Sequence, residues 1–467
     1  MRTRRPATVN IPMSIRRLCC ELVVAAAACS VSSAFASGFQ LFEQSVSSIA
    51  TAGANQAAAH DATAAFYSPA AMVRLRGAHL SIAGTLIKPT GHFSVAGAHS
   101  VVPPPDGIPI SGGTGGDPGS YNFLPSLFYT QAITDRFSVG LAMTSPFGLS
   151  TEYDKDWVGR YYALHSELET YEIAPQVAYA LDDQWSLGLG VSAQHAKAKL
   201  SNAIDFSTVC LGVAAQVPGF GAVCGAAGMS VPGNQGADGL FTLEGTSWAY
   251  GWNSAVSYRP TPSTQIGATY RSRLVHDFAA DATFDKPASL PALIGGQAAF
   301  TNGTAQTRIE LPETFTLSAT GVASDKWTLM AALTWARWRR FNEIVIRFDN
   351  GAPDAILAAH WHDTVRIAIG ASYKYNDQWS FSMGLAYDPT AIPDPSRGPR
   401  IPEQTRTILA LGGEYALTKQ DSVGLGYQHQ FQRTVAVNLS DPVAGTLSGK
   451  YQRPYIDVLA VQYNHTF

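Results

Sequence analysis

A short phrase recurs along the chain and limits what it can fold into: a turn of Asp, Asn or Ser, then Trp, then an alternating run rich in small residues. It reads "DDQWSLGLGVSA" from Asp182, "SDKWTLMAALTW" from Ser324 and "NDQWSFSMGLAY" from Asn376. Alternate residues of a strand face opposite sides, so each phrase describes a tight turn feeding a strand whose two faces meet different surroundings. Tryptophan held just past the turn sits where the aromatic girdle of a membrane barrel belongs. A hairpin-rich soluble protein can repeat the turn but has no need of Trp there.

The final stretch, "YIDVLAVQYNHTF", is two-sided as well. His465, Tyr463, Val461 and Leu459 make a bulky face, and Thr466, Asn464, Gln462 and Ala460 a small or polar one. Taken alone, this strand fits a soluble sandwich as well as a barrel. Composition moves the balance, because only 14% of residues are charged while 46% are hydrophobic, against roughly 25% charged in an average soluble domain. Beyond the leader, no run approaches the about twenty apolar residues that a spanning helix needs. A charge-poor chain of strands without apolar helices fits a closed barrel, the other architecture that satisfies every backbone polar group in lipid. The net charge of −3 says little about partners, and there is no basic stripe for nucleic acid.

The leader itself places the chain outside the cytoplasm. Arg16 and Arg17, an apolar run from Leu22 to Cys29 and then Ala34-Phe35-Ala36 form the three parts of a secretory signal, residues 1–36, with Ser37 as the first mature residue. Lipoprotein cleavage before Cys29 is the competing reading, and Ala-Phe-Ala is the better site. Of the five cysteines, Cys210 and Cys224 remain after cleavage, close together in a Gly/Ala/Val-rich stretch. In an oxidising compartment they can pair, contributing about 3 kcal/mol in the loop-entropy picture; two free thiols are the alternative.

Connections between the strands come in two kinds. Short turns lie at Thr134-Asp135-Arg136, Asp182-Asp183-Gln184, Pro260 to Ser263, Ser324-Asp325-Lys326, Asn376-Asp377-Gln378 and Thr418 to Asp421, six in all. Seven longer stretches rich in Gly, Pro, Ser and Ala lie near 95–120, 148–162, 201–243, 281–304, 342–360, 389–402 and 437–449. With both termini in the periplasm, six turns and seven loops join fourteen strands over residues 75–467, and long loops outside with short turns inside is the asymmetry of outer-membrane barrels. The expected fold is therefore all-β, a fourteen-stranded antiparallel transmembrane β-barrel in a Gram-negative outer membrane, closed by the strand that ends at Phe467.

Ahead of the strands, residues 37–74 lack alternation and are dominated by Ala, Ser and Gly, with Glu43 and Asp61 their acidic groups. An Ala/Ser-rich run from Ser45 to Ala59 favours short helix and Ser68-Pro69 stops it. Small residues suit a segment packed in a narrow lumen, so an internal plug is expected, with a loose periplasmic tail as the alternative.

The chain resembles the FadL/TodX family of outer-membrane transporters for hydrophobic compounds. "SGFQLFEQS" looks like the family's mature start, and "FYSPAAM" sits at its Asn-Pro-Ala motif with Ser68 in place of Asn. "GLGVSAQHAKAKL", "WAYGWNSAVSYRP", "ATYRSRLVHDF", "LPETFTLSATG", "DTVRIAIGASYKYNDQWSF" and "IPEQTRTILALGGEYAL" follow in the family's order. The resemblance implies a fourteen-stranded barrel with an N-terminal hatch, carrying long-chain fatty acids or, in one branch, small aromatic hydrocarbons.

It also implies capture of ligand among the outer loops, passage by a hatch gate and lateral exit at an inward kink of the third strand. Here the gate would include Phe39, Leu41, Ser68, Pro69 and Ala70, and the opening Ser145, Pro146, Phe147 and Gly148 in "FSVGLAMTSPFGLSTEY". Proline cannot donate to the ladder and glycine tolerates a sharp bend, although Pro146 could equally just end the strand. Pocket candidates are Leu200, Asn202 and Val345. The last two stand where the family carries cations near a bound carboxylate and are uncharged here, so a neutral ligand stays open; Arg337, Arg339 and Arg340 could supply charge nearby or merely face lipopolysaccharide. Tyr463 and Phe467 would present the signal read by the barrel-assembly machinery.

Three function classes compete: a channel for hydrophobic compounds, a general diffusion porin and an outer-membrane enzyme. A porin needs a charged constriction and no plug. An enzyme needs a nucleophile with its base, and neither Gly-x-Ser-x-Gly nor His-Glu-x-x-His occurs. His165 and Ser166 alternate faces of a strand, and His360 and His362 flank Trp361 in a loop, so neither pair makes a dyad or a metal site. The expectation is a monomeric channel for a hydrophobic small molecule, with outer-membrane lipid and lipopolysaccharide around it, no cofactor and no metal.

Overall fold

The computed structural model describes residues 38–58, 60–103 and 107–467, so the expected signal segment and Ser37 lie outside the described residues. Fourteen strands form a closed antiparallel ring. They are β1 Ala78–Thr90, β2 Asn122–Ala132, β3 Phe137–Thr144, β4 His165–Ala180, β5 Trp185–Asp205, β6 Asp238–Thr261 and β7 Thr264–Arg271, followed by β8 Thr314–Val322, β9 Trp327–Ala336, β10 Thr364–Lys374, β11 Trp379–Asp388, β12 Arg406–Ala416, β13 Asp421–Gln432 and β14 Tyr455–Thr466. Each pairs with the next, and β14 returns to β1 from His79↔Thr466 to Thr90↔Tyr455. The remaining contacts of the ring run β6 to β7, β7 to β8 and onward to β14. The six turns and seven long loops of the sequence are the connections of this ring.

Its outer surface is the inverse of a soluble protein's. Leu187, Leu189, Val191, Ile367, Ile369, Leu409 and Leu411 all point outward and are 41–62% exposed, an apolar band that only lipid can cover. Trp185, Trp327 and Trp379 border it on the short-turn side, and Trp248, Tyr250 and Trp252 on the long-loop side. Above the band, β6 continues upward to pair with Leu274–Asp285, beside which Gly303–Leu311, Glu343–Phe348 and Ala355–Ala358 follow. A separate three-stranded sheet, Phe93–His99 with Gly445–Tyr451 and Val435–Asp441, rises from other loops on the same side.

Inside the ring sits the segment from Gly38 to Leu75. Its first helix covers only Val46–Ala50, capped where the Ser48 N–H donates to Ser45 Oγ at 3.2 Å, and a second short helix, Ala64–Tyr67, runs into a 3-10 turn over Pro69–Arg74. The Ala/Ser run would carry the first helix to Ala59 on propensity, but Ala52 and Gly53 adopt φ of 49° and 73° and end it. That left-handed turn brings Gly53 against the Arg366 guanidinium, where a Cβ would lie 2.8 Å from Nη1. Wall glycines make room for the plug: a Cβ on Gly384 would lie 2.2 Å from the Thr51 carbonyl carbon, and one on Gly188 2.4 Å from the Ala70 nitrogen. The glycines of the alternating strands thus serve close backbone approach.

Candidate functional site: a break in the wall and two apolar cavities

The third strand loses its neighbours at its outer end. β2 and β3 pair only from Leu127↔Met143 to Ala132↔Ser138, which leaves residues 122–126 of β2 without a partner on that side. Against β4, β3 pairs up to Thr144↔Glu172, and Gly148–Glu152 resumes at Gly148↔Glu169. Residues 145–147 therefore face one residue fewer on β4, a bulge that turns the chain inward.

Backbone polar groups freed at membrane depth must find partners inside the protein. Here the plug supplies most of them. The Ser145 N–H donates to Gln44 Oε1 at 3.0 Å, and Gln44 Nε2 donates to the Ser145 carbonyl at 2.8 Å. Pro146 has no N–H, and its carbonyl accepts from the Leu41 N–H at 2.9 Å. The Phe147 N–H donates to Thr170 Oγ1 at 3.1 Å, whose hydroxyl donates to the Phe147 carbonyl at 2.6 Å. The Gly148 N–H donates to the Phe39 carbonyl at 3.0 Å. Ser126 on the bare edge of β2 donates to the same Gln44 oxygen at 3.2 Å. Phe39 to Leu41 thus act as a short strand against Pro146 to Gly148, and the Gln44 amide imitates a backbone pair.

Two cavities meet at Phe39, and a third, about 60 Å³, borders Leu41, Pro146 and Phe147 beside Glu172 and Arg271. The larger, about 290 Å³, is lined by Phe39, Leu41, Gly148 and Arg406 within the barrel and by Tyr121, Phe123 and Tyr171 on its outer face. Those three outer residues are 71%, 67% and 51% exposed, so the cavity passes through the wall at the break. The smaller, about 80 Å³, lies toward the outer loops among Leu149, Leu168, Leu200, Leu243, Phe278, Ile309, Phe341 and Ile344. Phe39, Leu149, Glu167, Leu168 and Ile401 line both. Phe39 is held by an aromatic cage, its ring centroid 4.9 Å from Trp338, 5.6 Å from both Phe341 and Trp361, and 6.2 Å from Phe147. Its ring stands where the two spaces meet.

Charged side chains of the wall clamp the same end of the plug. Arg406 donates to the Gly38 carbonyl at 3.3 Å and pairs with Asp388 at 3.0 Å. Arg366 donates to the Ala52 carbonyl at 2.8 Å and lies 4.6 Å from the Phe42 ring centroid. Glu43 accepts from Gln430 Nε2 at 3.0 Å. In the loop beside the larger cavity, burial pushes the Glu403 carboxyl up to about 7, opposed by the Arg406 charge and by the Thr390 hydroxyl that donates to it at 2.6 Å.

The structure brings Phe39, Leu41, Ser145, Pro146, Phe147 and Gly148 into one site. Ser68, Pro69 and Ala70 lie elsewhere, pinned to β5 where Ser186 Oγ donates to the Ala70 carbonyl at 2.7 Å. Leu200 lines the smaller cavity; Asn202 accepts from Arg400 at 3.0 Å, and Val345 gives its place in the lining to Ile344. Arg337 and Arg340 are tied to Glu313 and Arg339 to Asp363. Cys210 and Cys224 are bonded to each other between the helices Phe206–Ala214 and Phe220–Ala226 in the loop after β5. Tyr463 faces outward with its hydroxyl on Asp421, and the Phe467 N–H donates to the Ala78 carbonyl at 3.0 Å. Gln44, Arg366, Arg400 and Arg406 were not singled out by the sequence. For Arg366 and Arg406 a signal existed, since each is a charge on the small-residue face of a spanning strand.

A profile of the outer membrane protein transport protein family (OMPP1/FadL/TodX) matches residues 27–467. The chain is 29% identical over 434 residues to a long-chain fatty acid transport protein of Salmonella typhi, covering 91% of this chain and 95% of that one. It is 27% identical over 410 residues to outer membrane protein P1 of Haemophilus influenzae, covering 84% and 86%. Among solved structures, a Pseudomonas aeruginosa FadL homologue shares the fold with a TM-score of 0.81 at 22% identity, over 92% of this chain and all of that one. The toluene transporter TodX of Pseudomonas putida follows with 0.64 at 18% identity, over 90% and 97%.

Proposed function

Because the chain belongs to the OMPP1/FadL/TodX family of outer membrane transport proteins, we propose that it takes up hydrophobic compounds passively, long-chain fatty acids first among them, and releases them sideways into the bilayer. The observation that carries this reading is the cavity that runs from the plug to the lipid face through the break at residues 145–147. A hydrophobic ligand gains roughly 25 cal/mol for each Å² withdrawn from water. Release into the periplasm would surrender that gain, and release through the wall keeps it.

Capture starts among the outer loops, where no charged residue occurs from Phe206 to Ala237. Ligand then enters the smaller cavity, moves Phe39 and reaches the larger one. The plug from Gly38 to Leu75 fills the lumen and speaks against a general diffusion porin. The protein acts as a monomer in the Gram-negative outer membrane, its outward band covered by lipid and lipopolysaccharide, with Tyr463 and Phe467 the groups offered to the assembly machinery. The fatty-acid relatives favour an alkyl cargo over the aromatic one named for TodX. Mass spectrometry of small molecules co-purifying with the membrane-extracted protein tests this: fatty acids are expected, and aromatic hydrocarbons alone would move the cargo to the other branch.

A further inference from the structure

The outer surface changes character abruptly above β7 to β10. Tyr270, Phe315, Trp335 and Val365 pair in turn across these four strands and form one outward row, with Phe315 and Val365 exposed. Trp252 on β6 extends the row, its ring 5.2 Å from that of Tyr270. Alternate residues share a face, so the next outward positions on β8, β9 and β10 are Glu313, Arg337 and Asp363. Apolar surface gives way to charge within one step.

Five arginines from distant parts of the sequence gather there. Arg337 donates to Glu313 at 3.0 Å and Arg340 to the same carboxylate. Arg273 meets Glu310 at 3.2 Å, Arg339 meets Asp363 at 2.5 Å and Arg308 meets Asp277 at 2.7 Å. Asp277 is as exposed as its partner, whereas the other acids lie deeper: the side chains of Arg308 and Arg339 are 60% and 62% exposed, and those of Glu313 and Asp363 6% and 17%. Four carboxylates thus hold five guanidiniums and turn them outward. A guanidinium has five N–H donors, and these contacts leave part of each fork free to meet a further anion.

A row of arginine directly above an aromatic girdle lies at the depth of the lipid head groups. The outer leaflet of a Gram-negative outer membrane is built of a glycolipid whose disaccharide carries phosphates at that depth. A planar fork matches phosphate with two parallel hydrogen bonds, and clustered basic residues beside a membrane-spanning surface attract anionic head groups. We infer that Arg273, Arg308, Arg337, Arg339 and Arg340 form a docking site for the phosphorylated head of this glycolipid, with its acyl chains laid over Phe315, Trp335 and Val365. The inference rests on the outer-membrane placement and is independent of the cargo. Its position on the ring also matters. The break lies between β2 and β4, where Glu167 and Glu169 border the larger cavity, so the phosphates are drawn to one side of the barrel and repelled from the opening.

Native mass spectrometry of the whole, detergent-extracted protein tests this, by titration with hexa-acylated bisphosphoryl lipid A and with the same glycolipid stripped of its phosphates. The wild type is expected to bind the phosphorylated form roughly tenfold to a hundredfold more tightly. Arg273→Gln combined with Arg308→Gln should remove most of that preference. Lys197→Gln combined with Lys199→Gln takes the same charge from the outer face of β5 and should leave it in place. Arg308→Gln with Arg339→Gln keeps the test decisive if the first arginine pair fails to insert. Equal binding of the two glycolipids by the wild type overturns the site, as does an unchanged preference in the arginine variants. An equal loss in the lysine and arginine variants overturns it too, by reducing the effect to overall charge.

Discussion

The side-chain amide of Gln44 and the backbone of Ser145 exchange two hydrogen bonds, at 2.8 and 3.0 Å, across 101 residues of sequence. Plug and broken strand are therefore one structural unit, and neither is satisfied without the other. A wall that opens in lipid must keep its polar backbone covered, and here the cover is the same segment that blocks the path.

Replacing Gln44 by Leu removes both bonds and leaves the Ser145 N–H and carbonyl buried without partners. The expected loss is about 1–3 kcal/mol, concentrated at the gate rather than spread over the barrel. Hydrogen exchange should speed up at residues 38–44 and 145–148 and stay unchanged in β10 to β12. Uniform protection in the variant would show that the amide does not hold the gate.

Deleting Gly38 to Met72 should convert a selective channel into one that leaks small hydrophilic solutes. The wall glycines Gly188 and Gly384, now facing open space, cannot close the lumen themselves. Planar-bilayer conductance equal to that of the intact protein would mean that the segment is no plug.

Glu403 gives the outer end of the larger cavity a dependence on pH. Its carboxyl is pushed up to about 7 by burial, so the folded state binds its proton more tightly than the unfolded chain does. That contribution is complete below the ordinary carboxylate range, near pH 4, and is lost as pH rises through about 7, a few kcal/mol at most. Thermal stability should fall between pH 5 and 8 in the wild type and much less in Glu403→Gln. Parallel curves for the two proteins would contradict the assignment.

The Cys210–Cys224 bond closes a loop with a sequence separation of 14, for which the chain-entropy picture gives about 3 kcal/mol of restraint. Reduction should expose residues 206–237 to protease while the barrel persists. Unchanged cleavage after reduction would show that packing alone holds this hairpin.

The frame was legible because membrane barrels write it locally. A turn, a Trp at fixed offset and an alternating strand are visible within a dozen residues. The position of the break was also legible, through Pro146 and Gly148. What completes the site was not. Gln44 is ordinary in "FEQS", and its partner lies on a distant strand that only the closed ring brings near. Arg400 sits in "RGPRIPEQ" beside Arg397, and which of the two meets the cavity depends on how that loop folds over. Arg366 and Arg406 were readable as lumen-facing charges, but which plug carbonyls they hold follows from packing.

Lateral release through the break is tested most directly by closing it. Pro146→Val restores a backbone donor and a strand former, and Gly148→Phe puts a ring where even an added Cβ would lie 2.9 Å from Leu41 Cδ1. Uptake of labelled fatty acid by cells carrying this double variant, correctly inserted, is compared with binding of the same ligand to the purified protein. Uptake lost with binding retained is the expected result. Full uptake with the break closed would contradict the account and send the ligand through the plug instead.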